Sequence, residues 1–298
     1  MVIRIMCSAW LLFAVPVFST PPDFSGTQAF EYLEKQCEFG PRVPGSKGHA
    51  ECLNYFLEFM KQRADTVFTQ DFMFSFGKPQ RTVRAVNVIS RFQPQTSDRV
   101  LLCAHWDTRP WADSDPDPSN HDKPVLGAND GASGVAVLMH LAELLSDFPV
   151  AIGVDIVFFD AEDAGQHEDT ESWARGSAAF AKTYANRFAP RYGILLDMIG
   201  DADLTVYQEQ YSVKYAGFLV DRIWNKAAEL GMSAFIPQPE YAVYDDHIPL
   251  LQAGIPCVDI IDFYYPQWHT VNDTPEYCSP YSLEQVGKVV TAILYEEY

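Results

Sequence analysis

The chain alternates between short apolar runs and longer segments in which apolar residues recur at helical spacing. The apolar runs predict strands at 66–75, 82–92, 99–104, 153–159, 192–197 and 256–261. The helical spacing predicts helices at 27–38, 47–62, 132–146, 176–186, 212–230 and 281–295. Because strands and helices alternate after residue 99, the pattern favours a mainly parallel sheet covered by helices on both faces.

The first two predicted strands follow each other closely, so we expect an antiparallel pair at one edge of this sheet. The chain has 298 residues, 48% of them hydrophobic, which is enough for one large core. No repeat or low-complexity linker divides it. The predicted fold class is therefore α/β, with one catalytic domain at 21–298 built on a central mixed, mostly parallel sheet.

The first twenty residues have the pattern of a signal peptide. Arg4 supplies the positive charge, residues 6–18 are almost wholly apolar, and Ser19 and Thr20 precede two prolines. The apolar run is short for a bilayer span, and the alternative is a buried first helix. We expect a protein that is exported to a periplasm or out of the cell and is not embedded in a membrane.

Charge and cysteine content narrow the function further. The formal net charge is −19, and such a surface repels phosphate backbones, which argues against nucleic acid as a partner. Cys7 falls in the predicted signal peptide, and an odd number of cysteines follows it. At least one thiol is then free or paired with another chain. A disulfide between Cys37 and Cys52 is one interpretation, and no C-x-x-C spacing indicates a thiolate zinc site.

Acidic and histidine residues lie at or just beyond the ends of the predicted strands. They are His105, Asp130, Glu162–Asp163, Asp197 and His269. The carboxyl ends of parallel strands meet at one edge of a sheet, so these side chains can converge there. Aspartate, glutamate and histidine are ligands that suit zinc. The sequence therefore predicts a metalloenzyme, with the irregular segment 106–128 folded over the strand ends.

Each of these residues also has a simpler interpretation. Asp107 is suitably placed to orient a metal-bound His105, although His-x-Asp alone is a weak signal. Asp130 precedes a predicted helix, where a helix cap with glycine turns is the alternative. Asp197 is a single charge in an apolar run, and a buried carboxylate needs a partner or a metal. His269 alone is compatible with ordinary loop surface.

The combination is more specific than its parts. In chain order it consists of H-W-D at 105–107, G-A-N-D-G-A-S-G at 127–134, F-F-D-A-E-D at 158–163, L-L-D-M-I-G at 195–200, D-D-H-I-P at 245–249 and W-H-T-V-N-D at 268–273. It resembles the zinc aminopeptidase-like superfamily and, within it, the zinc-dependent glutaminyl cyclases, above all bacterial ones. The resemblance extends from about residue 35 to the C-terminus. It implies a glutaminyl-peptide cyclotransferase, which converts the N-terminal glutamine of peptides or proteins to pyroglutamate and releases ammonia.

The resemblance also implies roles for individual residues. One zinc ion would be held by Asp130, Asp163 and His269, and Glu162 would be the general acid–base. Asp197 and Asp245 would share a proton beside the substrate amine. The apolar walls of the substrate pocket would be formed by Trp268 and Tyr264, together with Trp106 or Trp111.

Two departures and one ambiguity remain. Asp163 stands where the animal cyclases have glutamate, and Asp259 stands where they have histidine. His105 matches a ligand of the second zinc in the aminopeptidases. The alternative is therefore an exported two-zinc aminopeptidase that uses His105, Asp197 and a bridging Asp130. A non-catalytic exported binding domain on the same scaffold is a further alternative, which the intact ligand set argues against.

Overall fold

The computed structural model describes residues 21–297, so the predicted signal peptide at 1–20 lies outside the described residues. Within this part of the chain the strands are β1 (Thr66–Phe76), β2 (Arg81–Phe92), β3 (Arg99–His105), β4 (Gly153–Phe159), β5 (Gly193–Asp197), β6 (Val206–Gln208), β7 (Phe235–Pro239) and β8 (Cys257–Ile261). The α-helices are α1 (Gly26–Glu38), α2 (Lys47–Lys61), α3 (Ser133–Asp147), α4 (Arg175–Phe188), α5 (Gln210–Glu229), α6 (His247–Gln252) and α7 (Pro280–Tyr295).

Six of the strands form one mixed sheet in the order β1-β2-β4-β3-β5-β8. β4, β3, β5 and β8 run parallel to one another. β1 and β2 are an antiparallel pair, and β2 joins the rest of the sheet antiparallel to β4. The prediction of a mostly parallel sheet with an antiparallel pair at one edge is confirmed.

Helices cover both faces of the sheet. Successive residues of a strand point to opposite faces, and β3 shows this clearly. Leu102 packs in the core with α1, α2, α3, α5 and α7, whereas Leu101 packs in the core with α4 and α6. Because both faces are buried, all seven residues of β3 are buried, which is why this strand is an almost continuous apolar run.

The strand order reverses beside β3, and this reversal places the functional site. The chain passes from β3 to β4 on one side and then crosses to β5 on the other side of β3. In open α/β sheets a crevice forms at such a point, outside the carboxyl ends of the strands. His105 ends β3, Asp197 ends β5, and Glu162 and Asp163 follow β4. The topology thus explains why residues distant in sequence meet.

Several details differ from the sequence predictions. β6 and β7 pair in a small separate sheet, which the hydrophobic pattern missed because β6 is short and β7 contains prolines. α5 starts earlier than predicted and has a kink at Ala216. The disulfide between Cys37 and Cys52 is wrong, since all cysteines in the described part are free thiols. Within residues 21–297, the helices lack the combined length and apolarity that crossing a membrane requires.

Close packing of α3 on the sheet generates a first prediction. A Cβ added at Gly134 would lie 2.1 Å from the carbonyl oxygen of Leu196 and 2.9 Å from the Cβ of Ala104. Gly134→Ala is therefore expected to lower the free energy of unfolding, measured in urea, by about 1–3 kcal/mol. Gly217→Ala on α5 is the control, because a Cβ added there would have no neighbouring atom within 4 Å. There, helix propensity should raise stability by up to about 1 kcal/mol, and equal effects at both sites would contradict the packing argument.

Candidate active site and metal centre

Three side chains from separate loops form the centre of the site: Asp130, Asp163 and His269. The Nε2 of His269 lies 3.0 Å from Asp163 Oδ1 and 3.6 Å from Asp130 Oδ2. All three residues are buried, and within the described chain both oxygens of Asp163 and Oδ2 of Asp130 have no hydrogen-bond donor. Buried carboxylates without partners are costly. Two such carboxylates and an imidazole within ligand distance of one another fit a zinc ion.

The protonation of these groups agrees with that fit. Burial, aided by the positive charge of Arg109, lowers the pKa of His269 to about 3. Its ring is therefore neutral and has one nitrogen lone pair available for coordination. Burial raises the pKa of Asp163 to about 8, which identifies a carboxylate whose ionised form requires a nearby cation.

A second group of ligand-type residues shares Asp130. The Nε2 of His105 lies 3.0 Å from Asp130 Oδ1 and 3.0 Å from Asp197 Oδ1. Burial alone would lower the pKa of His105, but the charge of Asp197 and hydrogen bonds to nearby aspartates raise it well above its usual value. The ring is then a cation that offsets the carboxylates. The structure thus brings together the residues of both the one-zinc and the two-zinc interpretations.

Asp107 holds the loop that carries the acids. Its buried carboxylate accepts hydrogen bonds from the backbone N–H of Glu162 at 3.0 Å and of Asp163 at 3.2 Å. It lies 3.7 Å from the Nδ1 of His105. The geometry therefore gives Asp107 a structural role in the loop of the two acids, in addition to its position beside His105.

Glu162 belongs to a buried group of acids with Asp197 and Asp245. Burial raises the pKa of Glu162 well above its usual range, and the negative charge of Asp245 raises it further. Burial and the charge of Asp197 raise the pKa of Asp245 to about 7. With a pKa of about 7, Asp245 can both accept and donate a proton near neutral pH. All three acids line the same cavity.

This cavity has a volume of about 210 Å³, which is below the roughly 300–1,000 Å³ typical of pockets for drug-sized ligands. It admits the end of one small side chain rather than a folded segment. The Trp268 ring stacks on His269, with ring centroids 3.7 Å apart. Other aromatic and apolar walls include Phe263, Trp173, Val243 and Tyr244, with His167 beside them.

Trp106 does not line this cavity, so its predicted role as a wall was wrong. Its side chain is fully buried, and its ring stacks on His49 at 4.3 Å between centroids. Its Nε1 donates to the carbonyl oxygen of Val86 at 3.2 Å. The residue after β3 points into the helix layer rather than toward the strand ends, which explains the difference.

Tyr264 was also wrongly placed. It is 58% exposed, and its hydroxyl donates to Glu240 at 2.9 Å on the outer surface. The neighbouring Phe263 lines the cavity instead. The sequence located the right loop but not the direction of its side chains, because past the end of β8 no regular alternation fixes that direction.

The backbone around the site is strained at residues other than glycine. Ala161, Met198 and His269 have positive φ angles of 59°, 46° and 56°. Each such conformation costs on the order of 1–3 kcal/mol and persists only where the surrounding structure enforces it. Ala161 and Met198 directly adjoin a site acid, and His269 is a proposed ligand. The strain is therefore concentrated where the backbone orients the side chains of the site.

Sequence reasoning missed several residues that shape the site. Asp273 accepts hydrogen bonds from the backbone N–H of Asn129 at 2.8 Å and of Asp130 at 3.1 Å, and so ties two distant loops together. His167 and Trp173 lie in a loop without periodicity, where single residues carry no signal. Asp273, by contrast, could have been found from the sequence, because it ends the recognised W-H-T-V-N-D segment that contains His269.

Loss of His269 tests the metal centre directly. His269→Ala removes the only proposed nitrogen ligand, so the purified variant is expected to lose bound zinc as well as activity. The measurement is zinc per chain by elemental analysis. His121→Ala, in the neighbouring loop, is the control and should keep its zinc. Full zinc occupancy in His269→Ala would show that the ion is held elsewhere.

Comparisons with known proteins agree with this geometry. Residues 87–294 match the family model described as Peptidase family M28. A glutaminyl cyclase structure from Tannerella forsythia is 39% identical, with a TM-score of 0.89, and the match covers 93% of this chain and 100% of that one. The Bacteroides thetaiotaomicron glutaminyl cyclase bound to N-acetylhistamine is 35% identical, with a TM-score of 0.90 and coverage of 94% and 100%.

Two further relatives differ in the activity that their names give. The curated glutaminyl-peptide cyclotransferase of Bos taurus is 24% identical over 86% of this chain and 78% of its own length. A Bacteroides thetaiotaomicron structure named as a leucine aminopeptidase precursor is 35% identical, with a TM-score of 0.90 and coverage of 94% and 99%. The chain therefore belongs to Peptidase family M28, in the group of that family that includes the bacterial glutaminyl cyclases.

Proposed function

We propose that the protein is a zinc-dependent glutaminyl-peptide cyclotransferase acting on the N-terminal glutamine of peptides or proteins. The observation that carries the proposal is the position of Glu162. It is a buried carboxyl group with a raised pKa in a narrow cavity, next to the ligand set Asp130, Asp163 and His269. The glutaminyl cyclases among the relatives support the same activity.

The substrate would enter with its glutamine side chain in the cavity. Trp268 and Phe263 would flank the aliphatic part of that side chain, and the α-amine would face Glu162 and Asp245. Zinc held by Asp130, Asp163 and His269 would supply a Lewis acid that polarises the γ-carbonyl group. The attacking α-nitrogen and the γ-carbonyl carbon belong to the same residue. A cavity that holds the glutamine side chain folded back would therefore bring these two atoms close together.

Glu162 moves the proton. It accepts a proton from the α-amine as the bond from that nitrogen to the γ-carbonyl carbon forms. It then donates the proton to the amide nitrogen, whose bond to the same carbon breaks, and ammonia leaves. Burial and the negative charge of Asp245 keep the pKa of this carboxyl group high, and Asp197 in turn raises the pKa of Asp245. Return of the proton to the substrate is therefore feasible.

The walls of the cavity favour cyclisation over hydrolysis. Trp268 stacks on His269 and contacts Phe263, with 5.6 Å between the two ring centroids. With a substrate bound, these rings would limit the space for water beside its amide. Exclusion of water suppresses the competing attack that would produce glutamate, so the same cavity selects the internal amine as nucleophile.

We propose one zinc per chain, at Asp130, Asp163 and His269. In this set the unpaired oxygens of Asp130 and Asp163 need a cation. In the other set, Nε2 of His105 already lies within hydrogen-bonding distance of both carboxylates, 3.0 Å from Asp130 Oδ1 and 3.0 Å from Asp197 Oδ1. The specific observation in favour of the two-zinc aminopeptidase is that His105, Asp130 and Asp197 also lie within ligand distance of one another.

We also propose that the protein is exported, to a periplasm or out of the cell. The support is the sequence of residues 1–20, with Arg4, the apolar run and the small polar residues that follow it. N-terminal glutamines become available in such compartments when signal peptides and propeptides are removed, which is compatible with the proposed activity.

Glu162→Gln separates proton transfer from metal binding. The amide keeps the shape of the side chain but cannot accept and return the proton, so cyclisation should fall by at least about 10²–10⁴-fold. Zinc content should remain unchanged, since Glu162 is not one of the proposed ligands. Glu168→Gln, an exposed residue of the same loop, is the matched control. Normal turnover of glutamine peptides by Glu162→Gln would exclude the assigned role.

Substrate choice and zinc content decide between the proposed function and its alternatives. Peptides beginning with glutamine are expected to release ammonia and to gain a blocked N-terminus. The purified protein is expected to contain near one zinc ion per chain. Peptides that begin with leucine should remain intact. Release of leucine with near two zinc ions per chain would assign the protein to the aminopeptidases, and inactivity on both would favour a binding domain.

A further inference from the structure

We propose that the ion pair of Arg109 and Asp113 is a positioning device for the metal centre: it orients His269 and fixes the backbone of Asp163. The proposal rests on the zinc site of the proposed function. Neither residue has a role in the reaction described above, and both lie in the irregular loop 106–128.

The carboxylate of Asp113 is held on several sides. It accepts hydrogen bonds from Nε and Nη2 of Arg109, at 3.1 and 2.6 Å, in a bidentate contact. It also accepts from Nε1 of Trp111 at 3.2 Å and contacts Nε2 of His167 at 3.2 Å. These contacts fix the carboxylate in place.

This carboxylate faces the ring nitrogen of His269 that points away from the ligand set. The distance from Asp113 Oδ1 to His269 Nδ1 is 3.6 Å, and within the described chain Nδ1 is a buried atom without a hydrogen-bond partner. A neutral imidazole carries hydrogen on only one of its two nitrogens. A carboxylate beside Nδ1 favours the hydrogen at that position, which leaves the lone pair of Nε2 directed at Asp130 and Asp163.

Arg109 extends the same device to a second ligand. Its Nη1 donates to the backbone oxygens of Asp163 at 2.8 Å and Gly165 at 2.9 Å. Its guanidinium lies near the rings of Trp111 and Trp173, 4.9 and 4.6 Å from their centroids. One buried guanidinium thus binds Asp113 and the loop of Asp163 together. A lysine has neither the fork nor the number of fixed donors needed to make these contacts.

The pair acts on the metal centre without adding net charge. Arginine and aspartate cancel each other at long range, whereas the negative end lies nearest to His269. Carboxylates in this position typically change metal affinity by about 10–100-fold when they are removed. An effect of that size on zinc affinity, with the fold intact, distinguishes a positioning role from a purely structural one.

The test is zinc affinity, measured by competition with a chromogenic chelator at fixed pH, together with circular dichroism of the zinc-free protein. Asp113→Asn keeps the shape of the side chain but loses the charge, and we expect about 10–100-fold weaker zinc binding with an unchanged spectrum. Asp122→Asn, an exposed residue of the same loop, is the matched control. It should bind zinc as the unmodified protein does.

Arg109→Lys is the second variant. It keeps the positive charge but loses the guanidinium group that makes the bidentate contact with Asp113. It should weaken zinc binding as well, and the double variant should lose less affinity than the product of the two single losses, because both residues act through one contact. Activity should return when zinc is supplied in excess of the weakened dissociation constant.

The proposal is overturned if either variant folds normally and binds zinc within twofold of the control. If Asp113→Asn does not fold, Arg109→Lys decides by the same criterion, and fully additive losses also count against the proposal. Failure of the proposed function is distinguishable, because the unmodified protein itself would then bind no zinc or leave glutamine peptides unchanged.

Discussion

The site is governed by the burial of negative charge. Asp130, Glu162, Asp163, Asp197 and Asp245 are all buried around one small cavity. Two unit charges 4 Å apart repel by about 4 kcal/mol at the effective dielectric of a protein surface, and by more inside. His105 supplies one compensating charge, and the remaining carboxylates require either a proton or a divalent cation. The proposed metal site and the raised pKa values are two consequences of the same crowding.

Because these carboxylates repel one another, the fold must hold them in place. Two further aspartates do so in the same manner, since each accepts hydrogen bonds from two consecutive backbone N–H groups. Asp107 holds Glu162 and Asp163, and Asp273 holds the turn that contains Asp130. These two aspartates of the recognised motifs thus support the site residues and are not among the proposed ligands, which explains why the motifs are longer than the ligand set.

Much of this arrangement was predictable from the sequence, for identifiable reasons. Strands buried on both faces leave continuous apolar runs, so the residue at which each run ends could be located to within one or two positions. Parallel topology then placed His105 and Asp197 at one edge. The predictions that failed concerned the orientation of side chains outside helices and strands. Trp106 and Tyr264 lie just past strand ends, where alternation no longer indicates direction. The relation of Arg109 and Asp113 to His269 depends on how an irregular loop folds, for which the hydrophobic pattern contains no information.

The proposed ligand set extends over nearly half of the chain, from Asp130 to His269, and Asp273 ties the same two segments together. The third ligand follows β8, the last strand of the sheet. A newly made chain therefore cannot form the complete binding site until its final strand has docked. A zinc ion bound there would hold early and late parts of the polypeptide together, and its binding energy would be available only to the finished fold.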